Sequence, residues 1–77
     1  MSAALLTRID TDQNMRRFYR VNVMPDLFGG MQVVREWGRI GTRGQSLTLW
    51  CATTDEARAL ALTFLALKRR RGYVAAD

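Results

Sequence analysis

The chain has 77 residues, 48% apolar and 25% charged, and its 12 Lys and Arg against 7 Asp and Glu give a formal charge of +5. A chain this short makes one domain, residues 1–77, that buries roughly 60 to 65% of the surface its unfolded form exposes, which excludes a deep enclosed pocket. The apolar fraction excludes disorder of the whole chain, and no apolar run approaches the ~20 residues of a membrane span or the pattern of a secretory leader, so a cytoplasmic protein making no membrane contact is expected.

Leu5 to Ile9 reads as a short first strand, closed by the polar turn Asp10-Thr11-Asp12-Gln13-Asn14. Arg17 to Met24 alternates, with Tyr19, Val21 and Val23 on one face and Phe18, Arg20, Asn22 and Met24 on the other, which is the period of a half-buried strand. Pro25 ends it for want of an amide proton. Asp26-Leu27-Phe28-Gly29-Gly30 then reads as a hairpin loop whose glycines supply positive φ.

The next strand, Met31 to Gly41, puts Val33, Arg35, Trp37 and Arg39 on one face and Val34, Glu36, Gly38 and Ile40 on the other. The missing side chain at Gly38 suggests close approach of a helix, with Ala57 or Ala61 beside it, so the Trp37 face is expected to look away from that helix. Thr42-Arg43-Gly44 makes a tight connection to Gln45 through Ala52, which alternates Leu47, Leu49 and Cys51 against Ser46, Thr48 and Trp50.

The period changes at Thr53-Thr54-Asp55-Glu56, a capping box that starts a helix running to about Arg71, with Gly72 as its C′ residue. Ala57, Leu60, Ala61, Phe64 and Leu67 form the apolar stripe, flanked by Leu65. Lys68-Arg69-Arg70-Arg71 fills the last turn, where the helix dipole favours positive charge. It is expected to form a basic knob at one edge of the domain, and Tyr73 and Val74 to fold back over an edge of the core. The predicted fold class is α+β: an antiparallel meander of about four strands with one C-terminal helix packed on one face.

Without histidine and with one cysteine, Cys51, neither an N/S zinc site nor a Ser-His or Cys-His nucleophile can be assembled. The seven carboxylates are scattered over turns and the helix start. The chain is therefore expected to be neither an enzyme nor a holder of a metal or cofactor, and Cys51 to be a small buried hydrophobe. Eleven of the twelve basic residues are arginine, which grips phosphate in a bidentate fork and stacks on flat rings. Arg35, Trp37 and Arg39 in a row suit phosphate plus a sugar or base. By spacing alone they suit a core or rim aromatic with solvated arginine neighbours better still.

Trp37-Gly38-Arg39 followed by Ile40-Gly41-Thr42-Arg43-Gly44-Gln45 resembles the WGR domain, and the likeness extends over nearly the whole chain. It includes Asn14, Arg17-Phe18-Tyr19, the loop Pro25 to Gly30, Val34-Arg35-Glu36, Asp55-Glu56-Ala57 and Arg71-Gly72-Tyr73, and it looks most like the short stand-alone bacterial form. The resemblance implies an antiparallel sheet with one C-terminal helix. It also implies contact with DNA at a break, as in the poly(ADP-ribose) polymerases, with Trp37 stacking on a sugar or terminal base and Arg39 touching phosphate or a partner domain. The stretch carries no catalytic domain for such a relay to act on.

The functional expectation is a nucleic-acid-binding module, DNA before RNA, that uses Arg35, Trp37, Arg39 and Arg43 with Lys68, Arg69, Arg70 and Arg71 as a second anchor. The alternative is a protein-interaction adaptor using the same Arg/Trp face, since those residues also dominate binding hot spots. Leu47, Leu49 and Trp50 depart from the polar or basic strand usual in the family. If Trp50 shares the Trp37 face, that surface favours a protein partner or self-association. A monomer or weak homodimer is expected.

Overall fold

The structure is a computed structural model that describes residues 2–76. Its elements in chain order are β1 (Ser2–Asp10), β2 (Met15–Pro25), β3 (Met31–Arg39), β4 (Gln45–Cys51), α1 (Thr54–Arg70) and β5 (Val74–Ala75). Every strand pairing is antiparallel, and the sheet order is β4-β3-β2-β1-β5. The expected meander is present, and the tail adds a fifth strand to it.

β1 extends the expected run Leu5 to Ile9 to Ser2 and Asp10, and β2 extends the expected Arg17 to Met24 to Met15 and Pro25. Their ladder continues through Arg8↔Arg17 to Asp10↔Met15, because a strand bonded to a neighbour is held by its partner's backbone as well as by its own side chains. β3, by contrast, stops at Arg39. Ile40 to Gly44 turn away, with the Thr42 amide donating to the Arg39 carbonyl at 3.0 Å.

Register decides which side chains meet the helix. Leu6 lies opposite Tyr19, Val21 opposite Arg35, Val23 opposite Val33, and Tyr19 opposite Trp37, so all of these share one face. That face is the one α1 covers. Leu6, Tyr19, Val21, Val23 and Val33 are buried against Ala57, Ala61, Leu65 and Tyr73, and Trp37, Leu60 and Phe64 pack on the margin of this core. Trp37 therefore faces the helix, contrary to the expectation from Gly38. Trp50 lies on the opposite, open face with Thr48 and Ser46, so it does not share a surface with Trp37.

Gly38 has a different reason for lacking a side chain. A Cβ there would come within 2.7 Å of Gly44 Cα, and one on Gly44 (φ +69°) would strike the Trp37 carbonyl and touch the Phe18 ring at 3.0 Å. The two glycines let the 40–44 loop fold back onto the sheet end beside buried Phe18. The atoms nearest a Cβ at Gly38 belong to Gly44 and Phe18, not to Ala57 or Ala61 of the helix.

α1 begins where the capping box predicts. Thr53 has extended dihedrals and its hydroxyl accepts from the Glu56 amide at 3.1 Å, while the Glu56 carboxylate accepts from the Ala52 amide at 3.2 Å. Seventeen residues of helix are about 25 Å long, enough to cross diagonally from the β4 edge to the β5 edge, roughly 19 Å over four strand spacings. The buried helix residues are Ala57, Ala61 and Leu65, whereas Leu67, expected in the stripe, is half exposed.

At the other end Gly72 (φ +93°) closes a Schellman turn, its amide donating to Arg69 O at 3.0 Å and the Tyr73 amide to Lys68 O at 3.2 Å. The reversal drives Tyr73 into the core and lays β5 along β1, with Leu6 opposite Ala75. Val74 itself stays exposed, so of the two tail residues only Tyr73 covers the core.

Gly44→Ala is expected to lower stability by about 1–3 kcal/mol, because the loop must lift off the Trp37 carbonyl and the residue must hold positive φ. Urea unfolding followed by circular dichroism reads this. A change below about 0.5 kcal/mol would show that the loop does not need the close approach.

Candidate nucleic-acid interface

Beyond Val33 the helix-covered face of β3 carries Arg35, an unusual residue for a face that packs on a helix. Its guanidinium lies over the Phe64 ring at 4.4 Å and over the Trp37 ring at 5.5 Å. Aromatic faces are the apolar partners that attract a cation, so the sandwich tolerates the charge at the core margin. Its Nε is buried without a hydrogen-bond partner.

Lys68 meets the same place from the helix. Its Nζ is 5.0 Å from the centre of the Tyr19 ring and 5.4 Å from that of Tyr73, the two rings themselves packing edge to face at 6.5 Å and 71°. The Schellman turn creates this arrangement, since it brings Tyr73 back beneath the residue whose carbonyl caps it. Tyr19, Arg35, Phe64, Leu67, Lys68 and Arg71 line a notch of about 210 Å³, and Trp37 lines a smaller extension of it beside Tyr19, Arg35 and Lys68. None of these residues is acidic.

The charges feel one another. Burial, then Arg71, Arg35 and Arg17, hold the Lys68 pKa below its usual 10.5. Burial pushes the Tyr19 phenol above 10.0, although the Arg35 charge opposes that rise. Three cations, Arg35, Lys68 and Arg71, therefore converge on one notch, and the ion pair between Arg20 and Glu36, at 3.6 Å, lies on the open face.

Of the residues that the sequence pattern singled out, Arg35, Trp37, Lys68 and Arg71 meet in the notch. Arg39 is exposed and reaches the Asn14 carbonyl at 3.5 Å, where with Arg16 and Arg17 it lines a separate polar hollow near the β1–β2 turn. Arg43 lies on the exposed 40–44 loop, and Arg69 and Arg70 are exposed on the helix without lining the notch. Sequence reasoning missed Tyr19 and Phe64 in the lining of the notch and Tyr73 beneath Lys68. Tyr19 and Arg35 were legible as one face of neighbouring strands, but only register sets them side by side.

Among the described residues there is no group of His, Cys, Asp or Glu arranged to hold a metal, and no helix is long and apolar enough to cross a membrane. The WGR domain family matches residues 2–77, and the chain belongs to that family. It is 42% identical over 66 residues to an uncharacterized protein of Sinorhizobium fredii, covering 86% of this chain and 32% of that protein. The chain thus spans about a third of the length of this curated relative. No solved structure matches it at a significant level. Family and fold are consistent, in general terms, with a nucleic-acid-binding module.

The lowered pKa of Lys68 has a defined sign. The fold disfavours its ammonium, so this residue costs stability below the folded-state pKa, and the cost is relieved as pH rises through that value toward 10.5. Relative to Lys68→Arg, which stays charged throughout, the native chain is expected to gain stability across that interval. Urea midpoints measured in parallel at pH 7 and near pH 10 test it, and identical shifts for the two proteins would remove Lys68 from the cationic cluster.

Proposed function

We propose that this chain is a non-enzymatic binding module that holds the sugar–phosphate backbone of a nucleic acid in the notch between β2, β3 and the helix end. One observation carries the reading: Arg35, Lys68 and Arg71 converge around aromatic rings, and among the described residues no carboxylate lines the notch to neutralise them. Unpaired cations at a half-dry site favour an anion whose own oxygens complete their hydrogen bonds, the unpartnered Nε of Arg35 included. Trp37, partly exposed at the margin of the core, offers a ring against which a sugar or base packs. Recognition through phosphate and stacking is independent of sequence, and the family resemblance favours DNA, with an end or break as the preferred structure.

Trp37 is part of the packing as well as of this surface. Its replacement by Ala therefore costs stability and affinity together, and the arginine and lysine positions give the cleaner test.

Three phosphate contacts predict a slope of log K against log salt of about −2.7 on duplex DNA, at about −0.9 per contact. Replacing Lys68 and Arg71 together by Gln is expected to flatten it by about 1.8, whereas replacing Arg69 and Arg70, which carry the same charge outside the notch, leaves it nearly unchanged. Fluorescence anisotropy with blunt, nicked and single-stranded oligonucleotides measures slope and preference together. Equal losses from the two double variants would reduce the notch to general basicity. A slope near zero would favour the protein-adaptor alternative.

A further inference from the structure

The two edges of the sheet are built differently. On one side the edge of β1 is partly taken by β5, which pairs with Leu6 and Thr7, and the Ala76 amide reaches the Leu5 carbonyl at 3.0 Å. On the other side β4 pairs only with β3, and its outer backbone groups have no strand neighbour among the described residues. Proteins ordinarily guard such an edge with charge, proline, a bulge or shortness. β4, Gln-Ser-Leu-Thr-Leu-Trp-Cys, is seven residues long and has neither charge nor proline. Its register with β3 runs without interruption from Met31↔Cys51 to Trp37↔Gln45, so it has no bulge either.

The side chains on this edge are also unfinished. Leu47 is 46% exposed on the helix side and Trp50 61% exposed on the open side. The Trp50 indole N–H donates to the Gly29 carbonyl at 2.9 Å, which ties the ring over the β2–β3 loop and keeps it from blocking the edge.

We propose that β4 pairs antiparallel with β4 of a second copy of this chain, about a two-fold axis through Thr48, joining two sheets into one of ten strands. Charge selects this occupant. The notch and helix end are basic and would draw an acidic partner, while the β4 edge is a neutral segment in a chain of net charge +5. Two positively charged molecules meet at least cost through such a segment.

The pattern is self-complementary as well. With Thr48 on the axis, Leu47 of one copy lies opposite Leu49 of the other on the helix side, twice over, and Ser46 lies opposite Trp50 on the open side. A seven-residue ladder with four leucines is small against a standard interface of roughly 1,200–2,000 Å², so the dimer is reversible and concentration-dependent. A two-fold axis perpendicular to the sheet leaves both notches on the same face.

Sedimentation equilibrium of the purified chain from about 10 µM to about 1 mM tests this. The expected result is a mass that rises from monomer toward dimer, with an association that strengthens as salt rises, because screening weakens repulsion between like-charged copies. Salt acts in the opposite sense on phosphate binding, so failure of this proposal and failure of the nucleic-acid reading are distinguishable.

Thr48→Lys sets two ammonium groups against each other on the axis and is expected to weaken association roughly fivefold or more with an unchanged circular dichroism spectrum. If that variant fails to fold, Thr48→Cys in a Cys51→Ser background decides. It is expected to give a disulfide-linked dimer on mild oxidation, whereas the native chain, whose Cys51 lies opposite Gln45 in this register, is not. A monomeric mass throughout, undiminished association of folded Thr48→Lys, or no symmetric disulfide at position 48 would each overturn the proposal. The first of these outcomes would leave the edge to an extended segment of another protein.

Discussion

The architecture turns on one guanidinium that is placed where a helix packs. Arg35 shares its sheet face with Val33, Val21 and Tyr19, and α1 crosses that face. Full removal of its water would cost far more than a small domain can spare. The structure resolves the conflict by ending the fully buried part of β3 at Val33 and flanking the guanidinium with Phe64 and Trp37. Beyond that point helix and sheet do not close on each other. Leu67 is left half exposed, and a notch opens along β3.

The closing turn of the helix completes the same feature from the other side. Positive φ at Gly72 returns the chain toward β1, and the first residue after it, Tyr73, is buried against Tyr19. One local device thus does two things. It satisfies the last helix carbonyls, and it lays the aromatic floor on which Lys68 rests. Stability and site geometry are coupled here, because the residues that finish the core also aim the cations.

Charge is distributed with a similar division. Among the described residues, cations gather where no carboxylate lines the surface, at the notch and at the hollow lined by Arg16, Arg17 and Arg39. The β4 edge carries none. A basic surface that recognises a polyanion and a neutral edge that joins like molecules can operate together, since neither uses the other's residues and salt affects them in opposite senses.

The amino-acid sequence by itself determined the order and type of the elements from β2 to α1. Alternation in Tyr19-Val21-Val23, the glycines of the β2–β3 loop, the Thr53 cap and the glycine at 72 are local signals, each satisfied within a few residues by backbone geometry or a single hydrogen bond. It also determined which residues share a face, because strand period fixes that without reference to anything distant. Only the tertiary structure decided which face the helix covers. Both faces of β3 carry apolar and charged residues, so the pattern has no preferred side, and the choice is made by long-range register that places Val33 and Arg35 beside Val23 and Val21. That choice turned Trp37 toward the helix, gave Gly38 its neighbour in Gly44, and brought Tyr19 of β2 and Lys68 of the helix end together beside one arginine.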